Sequence, residues 1–349
     1  MKCSRIMAGV GAACCSIAAT LTSAVPAQAA IEHAHVSTTA RAVAMSLPDS
    51  SVDRARRQRI VDTLINRLER LYVFPGKVPA LAAVLRERVA RGQYDHITSA
   101  PAFADTLTNH LRDVLEDRHL ALRFMVPRRR APAQTTTSVQ RREPTGGVTS
   151  VEVLPSNIGY LALDGFNSID EVDAPYANAM NKLAATDALI IDIRQNSGGW
   201  PHSVALLASY LVGKDSVHIN SLRFREGDST MHFWTNPVVS GRKFGPDKPV
   251  YVLTSARTFS AAEEFAYGMK ALRRATIIGE QTQGGANPGR ATMLDDDIAA
   301  FIPFAEARNP ITGGNWEGTG VTPDIRVLAS VALDRAIEEA RKRLSAEKR

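Results

Sequence analysis

A β-branched run, Val250–Ser255 (VYVLTS), passes through Ala-Arg-Thr-Phe into Ser260–Leu272 (SAAEEFAYGMKAL), so a serine opens a helix directly after a strand. A hydroxyl so placed can stand above the positive end of the helix dipole, where an anion forming beside it is stabilised. That is the setting of a nucleophile in acyl transfer, provided the chain also supplies a base and an oxyanion site. The same residues also read as a capping box, in which Ser260 caps the helix and Glu263 reaches back to its backbone N–H.

A second motif strengthens the chemical reading. The apolar run Ala188–Ile193 (ALIIDI) leads into Arg194-Gln195-Asn196-Ser197-Gly198-Gly199-Trp200, and a helix begins near Pro201. Two glycines between a strand and a helix let backbone N–H groups approach a ligand closely. The plain alternative is a turn that binds nothing. No Gly-Lys-Ser/Thr follows, which argues against a phosphate loop. Set beside Ser260, the loop makes an oxyanion site, with one donor from Gly198 or Gly199 and another from the Ala261 N–H. Loss of one such donor typically costs about 3 kcal/mol of transition-state stabilisation.

These motifs need a scaffold. From Ser51 to about Leu120 the apolar residues fall at helical spacing: Ile60, Leu64, Leu68 and Leu71; then Leu81, Val84, Leu85 and Val89; then Phe103, Leu107, Leu111 and Leu115. Each group makes one stripe, so three helices are expected to pack as a small bundle. The stretch Ala131–Gln140 (APAQTTTSVQ), flanked by Arg128-Arg129-Arg130 and Arg141-Arg142, reads as a solvated linker. Beyond it the period changes. Val151–Leu154 and Ile158–Leu163 alternate as paired strands, Asp170–Ala185 is helical, and Ala188–Ile193 is apolar on both faces, as in a sheet covered by helices. Strands follow near Ile219–Phe224, Val250–Leu253, Ala275–Ile278 and Ile298–Phe304. Helices are expected at Pro201–Val212, Ser260–Leu272 and from about Ser330.

Residues 1–29 read as a secretory signal: Lys2 and Arg5 precede an apolar stretch, Ile6–Leu21, and Ala27-Gln28-Ala29 resembles a cleavage site. All three cysteines, Cys3, Cys14 and Cys15, lie inside it, so the mature chain is expected to hold no disulfide or cysteine metal site. A lipobox around Cys14 would lack its leucine, and export to a periplasm or the medium is the expectation. The signal carries two positive and no negative charges, so its removal takes the formal charge of +6 to +4. No recognition helix or aromatic-interleaved basic motif is present, which excludes nucleic acid as the expected partner. The expected organisation is signal peptide (1–29), lead-in (30–50), helical module (51–127), linker (128–147) and α/β core with a terminal helix (148–349).

Four segments, DIRQNSGG, TSARTFSAAEEFA, ATIIGEQTQGGA and GTGVTPDI, occur in an order and spacing that resemble the core of the tail-specific, or C-terminal-processing, serine peptidases. The helical region, with YVFPGK, GQYDHIT and LRDVLEDRHL, resembles the N-terminal module of the branch named for interphotoreceptor retinoid-binding protein. The resemblance implies a small three-helix bundle followed by a crotonase/Clp-protease-like α/β core. Residues 128–147 leave no room for a PDZ module. It also implies a peptide or protein substrate, no cofactor, and Ser260 as nucleophile. The Ser-Lys dyad common in the family would need a lysine at position 285, where this chain has glycine; neither Lys248 nor Lys270 lies in the matching motif.

The tricorn-like branch offers another base. His119, in Asp117-Arg118-His119-Leu120, and Glu317, in Trp316-Glu317-Gly318, match its histidine and glutamate, whereas Arg118 replaces its serine. A Ser260–His119–Glu317 triad is therefore implied. The bland readings are a histidine ending the third helix and a glutamate in a glycine-rich turn. His202 is a second candidate base, and His33 and His35 lie in the lead-in. Histidines and carboxylates show no metal-ligand spacing, so no metal is expected. Asp192 and Arg194 read as a structural pair. Phe166, Trp200, Phe259 and Trp316 read as pocket lining or as core. The alternative to a peptidase is a non-catalytic binder of an apolar ligand or peptide on the same fold.

Overall fold

The computed structural model describes residues 51–125 and 145–347. The expected signal, the whole lead-in and most of the linker lie outside these residues. Three helices come first: α1 (Arg54–Leu71), α2 (Val78–Ala90) and α3 (Ala100–Leu115). Their apolar stripes converge on one core, in which Ile60, Leu64, Leu68, Leu81, Leu85, Phe103, Leu107 and Leu111 are all fully buried. Asp53 caps α1 by accepting from the Arg56 N–H. Glu116 ends α3 in a left-handed conformation, which turns the chain sharply out of the helix.

After that turn come β1 (Ala121–Phe124), β2 (Val148–Leu154), β3 (Ile158–Leu163), α4 (Ile169–Leu183), β4 (Ala188–Asp192), α5 (Pro201–Ser209), β5 (His218–Phe224) and β6 (Thr230–Trp234). Then follow β7 (Val250–Thr254), α6 (Ala261–Ala271), β8 (Thr276–Gly279), β9 (Gly289–Met293), β10 (Ile298–Pro303), β11 (Ala305–Arg308), β12 (Ile325–Arg326) and α7 (Ala332–Glu347). The main sheet runs β12-β8-β7-β4-β3-β2, parallel except for the β2–β3 pair. Every residue of β4 and β7 is buried. Period-two alternation explains this: Leu189 and Ile191 face the core built with α4, α5 and α6, whereas Ala188 and Ile190 face α7 through Ala332, Ala336 and Ala340. The expected α/β core is thus present, with helices on both faces.

Two smaller antiparallel sheets, β1-β10-β9 and β11-β5-β6, flank the main one. The first was not anticipated from β1 or β9, and it links the helical module to the core. Leu122, Ile298, Ala300 and Ile302 point from it into the helical bundle's core. On its other face, Ala121 pairs with Phe301, and Phe301 pairs with Ala291.

Candidate active site

The segment from β7 to α6 is braced before it reaches Ser260. Ser255 Oγ donates to the Arg194 carbonyl (2.6 Å), Thr258 Oγ1 donates to the Ile193 carbonyl (2.9 Å), and the Phe259 N–H donates to the Asn196 carbonyl (3.2 Å). These bonds fasten the turn to the glycine loop after β4. Ser260 itself sits at φ 56°, ψ −123°. Such a backbone costs a non-glycine residue about 1–3 kcal/mol and is tolerated where the surroundings enforce it. Here Glu263 does the enforcing. It is fully buried, and it accepts from the N–H groups of Ser260 (2.9 Å), Gly284 (2.7 Å) and Gly285 (2.9 Å) and from the Thr282 hydroxyl. The half of the capping box that Glu263 supplies is therefore formed. Burial pushes the carboxyl up to about 7, against the pull of those four donors.

His119 lies on the turn between α3 and β1, four residues past the helix end, so the helix-terminus reading of it is corrected. The left-handed Glu116 swings this turn back over the core, and His119 Nε2 stands 3.1 Å from Ser260 Oγ. The imidazole packs against Phe259 (centroids 4.5 Å apart) and stacks on Phe301 (5.9 Å). Burial, with a smaller push from Arg112, lowers its pKa to about 4. It is therefore neutral at pH 7 and able to accept a proton.

Glu317 is held by three backbone donors: Arg118 (2.8 Å), Ala286 (2.6 Å) and Asn287 (3.1 Å). His119 Nδ1 has no hydrogen-bond partner among the described residues. Glu317 is nonetheless near, because one oxygen each of Asp117 and Glu317 and one ring nitrogen of His119 lie within 4.8 Å of one another. The sequence assigns no role to Asp117, and shows no metal-ligand spacing of histidines and carboxylates, because only the fold brings Asp117, His119 and Glu317 together. It is fully buried, accepts from the Tyr72 hydroxyl and the His119 N–H (both 3.1 Å), and is raised in pKa by burial and by the charge of Glu317. Glu317 is raised by burial too. The triangle offers donor types a cation could use, but each carboxylate already accepts two or three hydrogen bonds, and an imidazole whose Nε2 accepts from Ser260 carries its hydrogen on Nδ1.

The glycine loop behaves differently at its two positions. The Gly198 N–H donates to Asn196 Oδ1 (2.9 Å), so of the expected oxyanion donors it is already engaged. Gly198 matters sterically: at φ 109°, a Cβ there would stand 2.7 Å from Ser260 Cβ. Among the described residues the N–H groups of Gly199 and Ala261 have no partner. Gly285, where a dyad lysine would stand, has no room for one. A Cβ on it would lie 2.2 Å from Phe259 Cε2 and 2.9 Å from His119 Cε1. The imidazole occupies the space a lysine would need.

The other candidates disperse. Lys270 bonds Asp324 (2.9 Å) and Lys248 donates to the carbonyls of Ala184 and Thr186. His202 is exposed and packs edge-on against Phe233. Asp192 and Arg194 form a 2.5 Å ion pair that also receives the Tyr160 hydroxyl. Phe166 and Trp316 are core, and Trp200 is 58% exposed. Phe259 does line the cleft at Ser260, a cavity of about 520 Å³ whose other walls include Phe301.

A model of peptidase family S41 matches residues 157–327, and one described as the N-terminal domain of that peptidase in eukaryotic IRBP matches residues 52–155. The chain belongs to peptidase family S41. Its S41 relatives include the carboxy-terminal processing protease CtpB of Bacillus subtilis, 25% identical over 209 residues that make up 59% of this chain and 39% of that protein. A carboxy-terminal-processing protease of Bartonella bacilliformis is 30% identical over 179 residues, 49% of this chain and 39% of the relative. The chain thus spans less than half the length of these relatives. In overall fold it is similar to a Parabacteroides merdae crystal structure, at a TM-score of 0.59 and 17% identity over 81% of this chain and 96% of the other.

Proposed function

We propose that this S41 chain is an exported serine peptidase that cuts peptide bonds with Ser260, His119 and Glu317. The observation that carries the reading is the 3.1 Å approach of a neutral, buried imidazole to a serine hydroxyl on a strained turn at a helix N-terminus. Ser260 Oγ attacks the scissile carbonyl as His119 Nε2 takes its proton, and the oxygen that becomes negative is held by the free N–H groups of Gly199 and Ala261. The proton passes to the departing amine, and water, activated by the same imidazole, releases the acyl group. Glu317 orients the ring through Nδ1. That contact is open here, and catalytic hydrogen bonds commonly tighten only when substrate is bound. Export rests on Lys2, Arg5, the apolar stretch after them and the Ala27-Gln28-Ala29 site.

A second reading, a non-catalytic binder of an apolar ligand or peptide, is favoured by one observation: His119 Nδ1 lacks the hydrogen bond that fixes a working imidazole. Fluorophosphonate treatment followed by mass spectrometry separates the two. A single adduct on Ser260, lost in His119→Ala, supports the peptidase. Absence of an adduct on folded wild-type protein would sink it and leave the binder.

A further inference from the structure

The cleft at Ser260 is lined by Arg112, Arg118 and Arg123, and by no aspartate or glutamate. The three arginines reach it from consecutive parts of the chain: the end of α3, the turn that carries His119, and β1. Arg112 is anchored, donating to the carbonyls of Leu120 (3.0 Å) and Arg118 (2.9 Å). Arg118 and Arg123 are exposed, and the side chain of neither makes a hydrogen bond or ion pair within the described residues. Burial lowers the Arg112 pKa, and the repulsive charges of Arg118 and Arg123 lower it further, against the pull of Asp117. Asp117 thus offsets part of this repulsion, and the Arg118 charge is felt by Glu317 behind the cleft wall. The cleft face itself carries no acidic side chain, so a bound anion relieves the positive charge that remains there. Arg123 stands on the same face of its strand as Ala121, next to the Ala121–Phe301–Ala291 row, so charge and apolar surface meet within one cleft.

We infer that this cleft selects peptide segments in which acidic side chains flank an apolar stretch, with Arg118 and Arg123 as the residues that determine the preference. Arg118 and Arg123 present two separate exposed guanidinium groups, which favours two acidic side chains over a lone α-carboxylate. The inference rests on the reading of the Ser260 cleft as a peptide site, not on hydrolysis there.

The test measures binding, so that it stands apart from activity. Three fluorescein-labelled Ala/Phe peptides of equal length are titrated into full-length Ser260→Ala protein. One carries two glutamates and an amidated end, one carries glutamines and an amidated end, and one carries glutamines and a free α-carboxylate. The acidic amidated peptide should bind about tenfold more tightly than the neutral one at low salt. That preference should shrink at high salt. It should vanish in Arg118→Gln/Arg123→Gln, whose substitutions lie on exposed side chains, and also in the single Arg123→Glu, which leaves the same net charge in the cleft. Equal binding of all three peptides, or none, overturns the inference. So does a gain confined to the free α-carboxylate, or a preference that survives the double variant. Acid-selective binding without a fluorophosphonate adduct on wild type would remove the peptidase reading and leave this one standing.

Discussion

Position 285 links the two ways in which a serine can be activated in this family. Filling it with a lysine would displace the rings of Phe259 and His119, so the two rings and the glycine are a matched set. Gly285→Ala is therefore expected to cost about 1–3 kcal/mol in denaturant unfolding and to slow fluorophosphonate labelling, because the imidazole must move. Gly285→Lys should not create a dyad; faster labelling in it would contradict this account. The pH dependence follows from the same burial. His119 must be neutral to accept a proton, and its pKa is held at about 4. Labelling should accordingly be complete near neutrality and fall as pH drops through about 4. A midpoint near the ordinary histidine value of about 6.5 would show that the imidazole is solvated.

At the scale of elements, α6 carries two successive buried glutamates with opposite fates. Glu263 meets four donors, while Glu264 Oε1 has no partner, and neither side-chain atom of the nearby Asn220 has one. Burial pushes Glu264 up to about 8, well above its value of about 4.3 in an unfolded chain. The folded protein thus keeps a proton that the unfolded one releases. This contribution favours the fold below about pH 4 and is lost as pH rises toward 8. Glu264→Gln has no proton to lose, so its Tm relative to wild type should climb between pH 5 and pH 8.5, by on the order of 5 °C. A constant offset would show that Glu264 is ionised in the fold. Most elements could be read from sequence by their period or apolar run: α1 to α7, and β2, β3, β4, β5, β7, β8 and β10, but not β6, β11 or β12. β1 and β9 could not, because both are short and one face of each borders the cleft. Asp117 and Phe301 were missed for a related reason. Their significance comes from His119, and His119 and Ser260 are 141 residues apart in the chain.

For the whole molecule, the helical module is part of the site rather than an appendage. Its chain delivers His119, and its core continues without interruption into Leu294, Ile298, Ala300 and Ile302 of the sheet that floors the cleft. Module and core should therefore unfold together. The tryptophans provide a clean probe, because all three, Trp200, Trp234 and Trp316, lie beyond the linker. Their fluorescence reports the core alone. Leu64 is fully buried in α1, among helices that contain no tryptophan. Leu64→Ala should cost about 2–5 kcal/mol. If the two parts are one cooperative unit, the tryptophan transition in denaturant must move to lower concentration by the same amount as the helical circular dichroism signal. A dichroism transition that shifts alone, with the tryptophan midpoint unmoved, would mean that the module melts off a core still folded. Ser260 would then lose its contact with His119, the proposed base, before the core lost its structure, and labelling would follow the dichroism rather than the fluorescence.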